Sequence, residues 1–392
     1  MFSLDIAGIA ISAFFILFIL SRRKMKKTDL LLSLINLGII ALLVVDAMFQ
    51  RRLTPLVFML LNIIPVYFFP LFLIYALEIL QEKIHHKGRW ILLFLPAFIT
   101  SAYIGSDLFL FHHYDHAQLE RLYNYPTLGY HLLCKGFPIV FIVAYLRLIK
   151  RLRKYAANIK DSYSFTDPIE LNWLIRSTWI YIVITVLSLL GFITSQLQIL
   201  PITSHLVCSV IGILMFFAIF YVSFHGIHQY TVADYYGEKT PSGNMIPDIN
   251  PISKSDDIAT QIKYKTSALT GAEQEVIFKS LIRLFDEKEL YREPKLQLSD
   301  VADALNISTH NLSQTINTTT GKPFYDLVNS YRVRHLQKLL EDPSQQKFTI
   351  LSMGFESGFN SKASLNRVFR QETGLSPSEY LQRLQPDQVS AL

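Results

Sequence analysis

The 392-residue chain is 51% hydrophobic and only 17% charged, with a mean hydropathy of +0.30. That balance excludes a single ordinary soluble domain and places part of the chain in lipid. Residues 1–230 hold 19 Lys and Arg against 11 Asp and Glu, and residues 231–392 hold 18 against 20, so the net charge of +6 arises in the apolar part.

Seven apolar runs come first, at 2–20, 29–49, 54–80, 90–106, 127–149, 172–196 and 202–224. Each is long enough, or nearly so, to cross a hydrocarbon core that takes about 20 helical residues. The short fourth run and the Pro201 turn between the last two leave six or eight spans as alternatives to seven. The basic residues alternate between loops. Arg22, Arg23, Lys24, Lys26 and Lys27 follow the first run, Lys83, Lys87 and Arg89 the third, and Arg147, Lys150, Arg151, Arg153, Lys154 and Lys160 the fifth. The other loops carry only Arg51, Arg52 and Arg121. Because short cytoplasmic loops are enriched in Lys and Arg, this asymmetry predicts an inner-membrane protein with its N-terminus outside and its C-terminus in the cytoplasm. The first run precedes its basic residues and has no small-residue cleavage site, so it reads as a retained helix rather than a signal peptide.

Ionisable residues inside the runs are Asp5, Asp46, Glu78, Lys135 and Arg176. Such groups are costly in lipid unless paired or wet. In the inferred topology Asp46 and Lys135 share the outer half and are the candidate ligand-binding pair, while Glu78 and Arg176 form a candidate latch at the cytoplasmic end. Snorkelling or structural pairing is the simpler explanation of both. The outer loop FHHYDHAQLERLY puts His112 and His116 four residues apart beside His113 and Asp115, but a solvated loop explains them better than a metal site, and no metal is expected. Cys134 and Cys208 lie in apolar runs and read as small buried hydrophobes. Pro65, Pro70, Pro96 and Pro138 are expected to kink their helices.

From Thr231 to Ile262 the chain becomes rich in Pro, Gly, Ser, Asn and Asp without apolar periodicity. The expected organisation is a transmembrane domain over 1–225, a linker over 226–262, a lead-in helix within 263–295 and a helical domain over 296–385. Thr270 with Glu273 and Ser376 with Glu379 have capping-box spacing, the first opening a helix over 271–289. Ser299, Ser308 and Ser361 are further candidate N-caps. Two segments, 298–317 and 349–370, share the form helix, tight turn, helix. Between them PFYDLVNSYRVRHLQKLLED reads as one amphipathic helix roughly 28 Å long, able to set two reading helices about one DNA turn apart.

These residues resemble the AraC/XylS transcription regulators. The resemblance rests on AxxLNIS at 302–308, NLSQxIN at 311–317, TGKPFYDLVNSYRVRHLQKLL at 320–340 and GFESGFNSKASLNRVFRQETGLSPSEYL at 354–381. Residues 264–298 resemble the lead-in of membrane-anchored members. Gly354 replaces the usual Ala and Leu365 a common Phe, which is expected to soften packing there. The resemblance implies that the second helix of each pair enters the major groove of double-stranded DNA. Helical-wheel arithmetic gives the same faces independently. With Leu312 and Ile316 inward, His310, Ser313, Gln314 and Asn317 point out; with Leu365, Val368 and Phe369 inward, Ala363, Asn366, Arg367 and Arg370 point out and Lys362 lies at the edge. Arg367 suits guanine, and Gln314 and Asn366 suit adenine. Lys322, Lys347 and the helix starts at Ser308 and Ser361 suit phosphates. Residues 263–385 carry 16 basic and 14 acidic residues, so any DNA affinity must come from a local patch.

No glycine-rich phosphate loop, HExxH or nucleophile elbow occurs, and neither an enzyme nor a cofactor is expected. The expected fold class is all-α, a polytopic transmembrane bundle of about seven helices plus a soluble tandem helix-turn-helix domain. The expected function is a membrane-bound one-component transcription regulator whose partners are DNA, membrane lipid, an unidentified small-molecule or membrane signal, and a second copy of the chain as a candidate homodimer. A transporter or membrane enzyme with a regulatory DNA-binding tail is the alternative, and a bundle that serves only as an anchor is a third reading.

Overall fold

Among the described residues every regular element is a helix, apart from one isolated antiparallel bridge between Tyr163 and Gln297. The computed structural model describes residues 2–23, 25–51, 54–80, 89–106, 118, 137–196, 204–236, 269–345 and 347–384. The chain forms two compact units, one made of residues 1–153 and 171–231, the other of residues 154–170 and 232–392.

The first unit contains α1 (Phe2–Leu20), α2 (Lys27–Arg51), α3 (Pro55–Ile79), α4 (Arg89–Ser106), α5 (Phe137–Ser162) as far as Arg153, α6 (Asn172–Gln196) and α7 (Ser204–His228). Among the described residues three stretches are long and apolar enough to cross a membrane, Lys27–Val45, Met59–Ile79 and Asn172–Gly191; Ile6–Leu20, Ile91–Ser106 and Ile213–His228 are shorter apolar helices. Large apolar side chains including Leu17, Ile91, Leu92, Val140 and Phe217 stay exposed, as lipid-facing residues do. Inside the unit, several buried polar groups pair between helices. Buried Asn36 donates to the Ser223 hydroxyl at 2.9 Å, tying α2 to α7, and the Tyr145 hydroxyl donates to the Phe69 carbonyl at 3.1 Å, tying α5 to α3. Arg22 pairs with Asp29 at 2.6 Å and also donates to the Ile227 carbonyl.

Several expectations change here. Glu78 lies 3.8 Å from Lys27 rather than forming a latch with Arg176, whose side chain is exposed. Pro65, Pro70 and Pro96 are interior to α3 and α4 as expected, and Pro138 is the second described residue of α5, with the residues before Phe137 outside what is described. The side chains of Asp5, Asp46 and Cys208, and residues Cys134, Lys135, His112, His113, Asp115 and His116, lie outside what is described. The same holds for residues 237–262 of the expected linker and 263–268 of the expected lead-in segment. Residues 232–236 of that linker instead form a short helix, α8 (Val232–Tyr236), inside the second unit.

In the second unit, α9 (Gly271–Lys288) opens on the expected capping box, with the Thr270 hydroxyl accepting from the Glu273 amide and the Glu273 carboxylate accepting from the Thr270 amide. Then follow α10 (Leu298–Leu305), α11 (Thr309–Thr320), α12 (Phe324–Glu341), α13 (Ile350–Glu356), α14 (Lys362–Thr373) and α15 (Pro377–Leu384). Ser299 is not a cap. α10 starts two residues earlier than that cap requires, and the Asp300 carboxylate accepts from the Gln297 amide at 2.8 Å.

The connector α12 is the spine. Phe324, Leu327 and Val328 enter one core with Leu281 and Phe285 of α9, Val301 of α10 and Leu312 and Ile316 of α11. Tyr325, Val333, Leu336 and Leu340 enter a second with Met353 of α13 and Leu365, Val368 and Phe369 of α14. One amphipathic helix thus carries both helix pairs, as the sequence pattern predicts. The turn between α13 and α14 needs Gly358, because φ is +95° and a Cβ would lie 2.8 Å from the Tyr291 carbonyl oxygen. Packing around Gly354 is tight rather than soft: a Cβ there would meet Leu365 Cδ2 at 2.6 Å, so the leucine already fills the space that the small residue leaves.

Candidate nucleic-acid interface

Each reading helix begins on a serine whose hydroxyl replaces a missing helical acceptor. Ser308 accepts from the Asn311 amide at 3.1 Å and Ser361 from the Ser364 amide at 3.0 Å. These caps fix the first turns of α11 and α14, and the buried residues Leu312, Thr315 and Ile316, then Ser364, Leu365, Val368 and Phe369, fix their rotation. The opposite faces follow. His310 and Asn317 are exposed on α11, with Ser313 and Gln314 half-buried, and Lys362, Ala363, Asn366, Arg367 and Arg370 are exposed on α14.

The exposed residues are not equally engaged. Lys347 is exposed, 5.2 Å above the Phe348 ring, and Lys322 lies 3.9 Å from Glu372. Arg370 lies 3.1 Å from Glu379. The Ser376 amide and hydroxyl, and then Arg370, hold the Glu379 carboxyl down at about 2, so that pair is ionised throughout the neutral range. This turns Arg370 toward α15 and leaves Asn366 and Arg367 as the α14 groups not drawn toward that helix. Arg367 is ion-paired with Asp167, and Asn317 donates to Asp161 at 3.4 Å. Burial pushes both carboxyls up, and Arg367 opposes the shift at Asp167.

Asp161 and Asp167 belong to residues 154–170, which fold with this unit although residues 171–231 separate them in the chain from the rest of it. Their anchor is Arg332, which is 1% exposed. Its guanidinium donates to the Tyr291 carbonyl at 2.8 Å, the Glu293 carbonyl at 2.8 Å and the Ser164 hydroxyl at 3.0 Å. Burial lowers its pKa to about 10, which still leaves it charged at neutral pH. Nothing in the sequence reading singled out this arginine or the two aspartates. Arg332 did have a signal, since it lies four residues from both Val328 and Leu336 and so on the buried face.

Residues 301–383 match the family described as helix-turn-helix domain. The C-terminal region carries a helix-turn-helix domain. It is of the AraC type, with α10–α11 and α13–α14 as its two pairs. The chain is also similar to an uncharacterized HTH-type transcriptional regulator of Staphylococcus aureus (strain COL), at 28% identity over 95 residues. That match takes in 24% of this chain and 12% of the relative, so it concerns one domain of a larger protein. No solved structure matches the chain.

Proposed function

We propose that the chain is a membrane-anchored, sequence-specific DNA-binding regulator, in which the apolar unit spans the cytoplasmic membrane about seven times and holds the helix-turn-helix domain on its inner face. The observation that carries this reading is the occurrence, in one chain, of apolar helices with exposed hydrophobic faces and of a helix-turn-helix domain whose Asn366 and Arg367 project from its second reading helix. The likeness to AraC/XylS regulators and to the staphylococcal protein supports transcription control as the use of that binding. His310, Ser313, Gln314, Asn317, Lys362, Ala363, Asn366 and Arg367 are then the base-facing set, with Lys322, Lys347 and the Ser308 and Ser361 helix starts toward phosphates. A signal received by the apolar unit would alter DNA binding, with Asp46 and Lys135 as candidate ligand contacts.

Topology is supported from two directions. Loop charge puts residues 150–170 in the cytoplasm, and residues 154–170 fold together with the helix-turn-helix domain, which must reach DNA. An alkaline-phosphatase reporter, active only outside the cytoplasm, is therefore expected to be silent when fused after Lys27, Lys154 or Gln229 and active when fused after Arg52 or Asp115. The reverse pattern would rule out DNA access and with it the proposed function.

A further inference from the structure

We propose that residues 160–170 are an internal competitor of DNA, an acidic clip that occupies both reading helices until DNA displaces it. The inference rests on the DNA-binding reading above and adds its regulation. The clip is seated by backbone and buried groups. The Ser164 amide donates to the Leu296 carbonyl at 3.1 Å, next to the Tyr163–Gln297 bridge, and Ser164 and Thr166 are buried. Asn329 reaches the Ser164 carbonyl at 3.4 Å, and the Tyr236 hydroxyl donates to the Phe165 carbonyl at 2.6 Å.

From this seat the segment projects one carboxylate at each reading helix, Asp161 at Asn317 of α11 and Asp167 at Arg367 of α14. A carboxylate offers a guanidinium two acceptor oxygens in one plane, the same kind of edge that guanine offers through O6 and N7. Asp167 and a guanine therefore cannot hold the same face of Arg367. In chain order the clip directly joins α5 to α6. The Arg367 and Asp167 side chains are 44% and 29% exposed, which makes the pair partly solvated and its grip modest rather than irreversible.

The test uses the full chain in lipid nanodiscs and a fluorescent duplex that this protein has enriched from a random pool. Asp161→Asn and Asp167→Asn are each expected to bind it about twofold to fivefold more tightly than wild type. Asp167→Glu, which keeps the charge, should stay near wild type. Glu275→Gln removes one negative charge from an exposed position on α9, far from the reading faces in sequence, and should shift affinity less than twofold. In an Arg367→Ala background, Asp167→Asn should lose its effect, because the two act on each other. Asp161→Asn carries the test through a different helix if Asp167→Asn does not fold. Unchanged or weaker binding by both Asn variants, or an equal gain from Glu275→Gln, would overturn the clip while leaving the DNA-binding reading intact. Failure of every form to enrich or bind any duplex would overturn that reading and the clip together.

Discussion

Replacing Arg332 by Leu is expected to lower the stability of the second unit by about 3 kcal/mol. The buried guanidinium supplies donors to the Tyr291 and Glu293 carbonyls and to Ser164, and leucine supplies none. Each acceptor left buried and unpaired costs about 1–3 kcal/mol, partly offset because a charge no longer needs burying. Arg332→Lys should recover little, since an ammonium cannot fork to three separated oxygens. All three tryptophans, Trp90, Trp173 and Trp179, lie in the first unit, so indole fluorescence would miss this transition. Pulse proteolysis of the full chain in urea, following the C-terminal fragment, reads it directly. A midpoint shift of about 1–3 M is expected from the usual dependence of stability on urea. An unshifted midpoint would mean that the carbonyls find other donors.

The second large effect is at the reading face. Arg367→Ala should weaken binding at the enriched site by about 1–3 kcal/mol and relax base preference at one position, the signature of a lost contact to a base edge. Lys347→Ala removes a charge that nothing in the sequence or fold ties to a base. It should weaken all duplexes alike and lower the slope of log K against log salt by about one. Competition titrations against a set of single-base variants, at two salt concentrations, separate the two behaviours. Equal and sequence-independent losses for both substitutions would remove Arg367 from the base-reading set.

The helices were legible where their period is internal to the segment. The run at 2–20 coincides with α1 and that at 172–196 with α6, and the two capping boxes lie where spacing and residue type put them. The rotation of both reading helices was equally readable, since Leu312 and Ile316, or Leu365, Val368 and Phe369, define a buried stripe on their own. Less legible was α5, expected to end near 149 but continuing to Ser162. Its last turns are rich in Lys and Arg and so read as a loop, although those residues are good helix formers. Least legible was the membership of residues 154–170. The stretch SYSFTDPIE has no apolar period, and its burial comes from partners 130 to 200 positions away, such as Leu296, Arg332 and Arg367. Contacts of that separation leave no local pattern, so the acidic partners of the reading face were invisible until the fold brought them together.

The central claim is that this membrane-anchored chain reads DNA through two helices set on one connector. Enrichment of duplexes from a random pool by the full chain in nanodiscs tests it most directly. The expected product is a motif of two short blocks about one helical turn, roughly 10 base pairs, apart, with each block weakened separately by substitutions in α11 or in α14. A pool that remains random after repeated rounds, or a single block insensitive to substitutions in either helix, would contradict it.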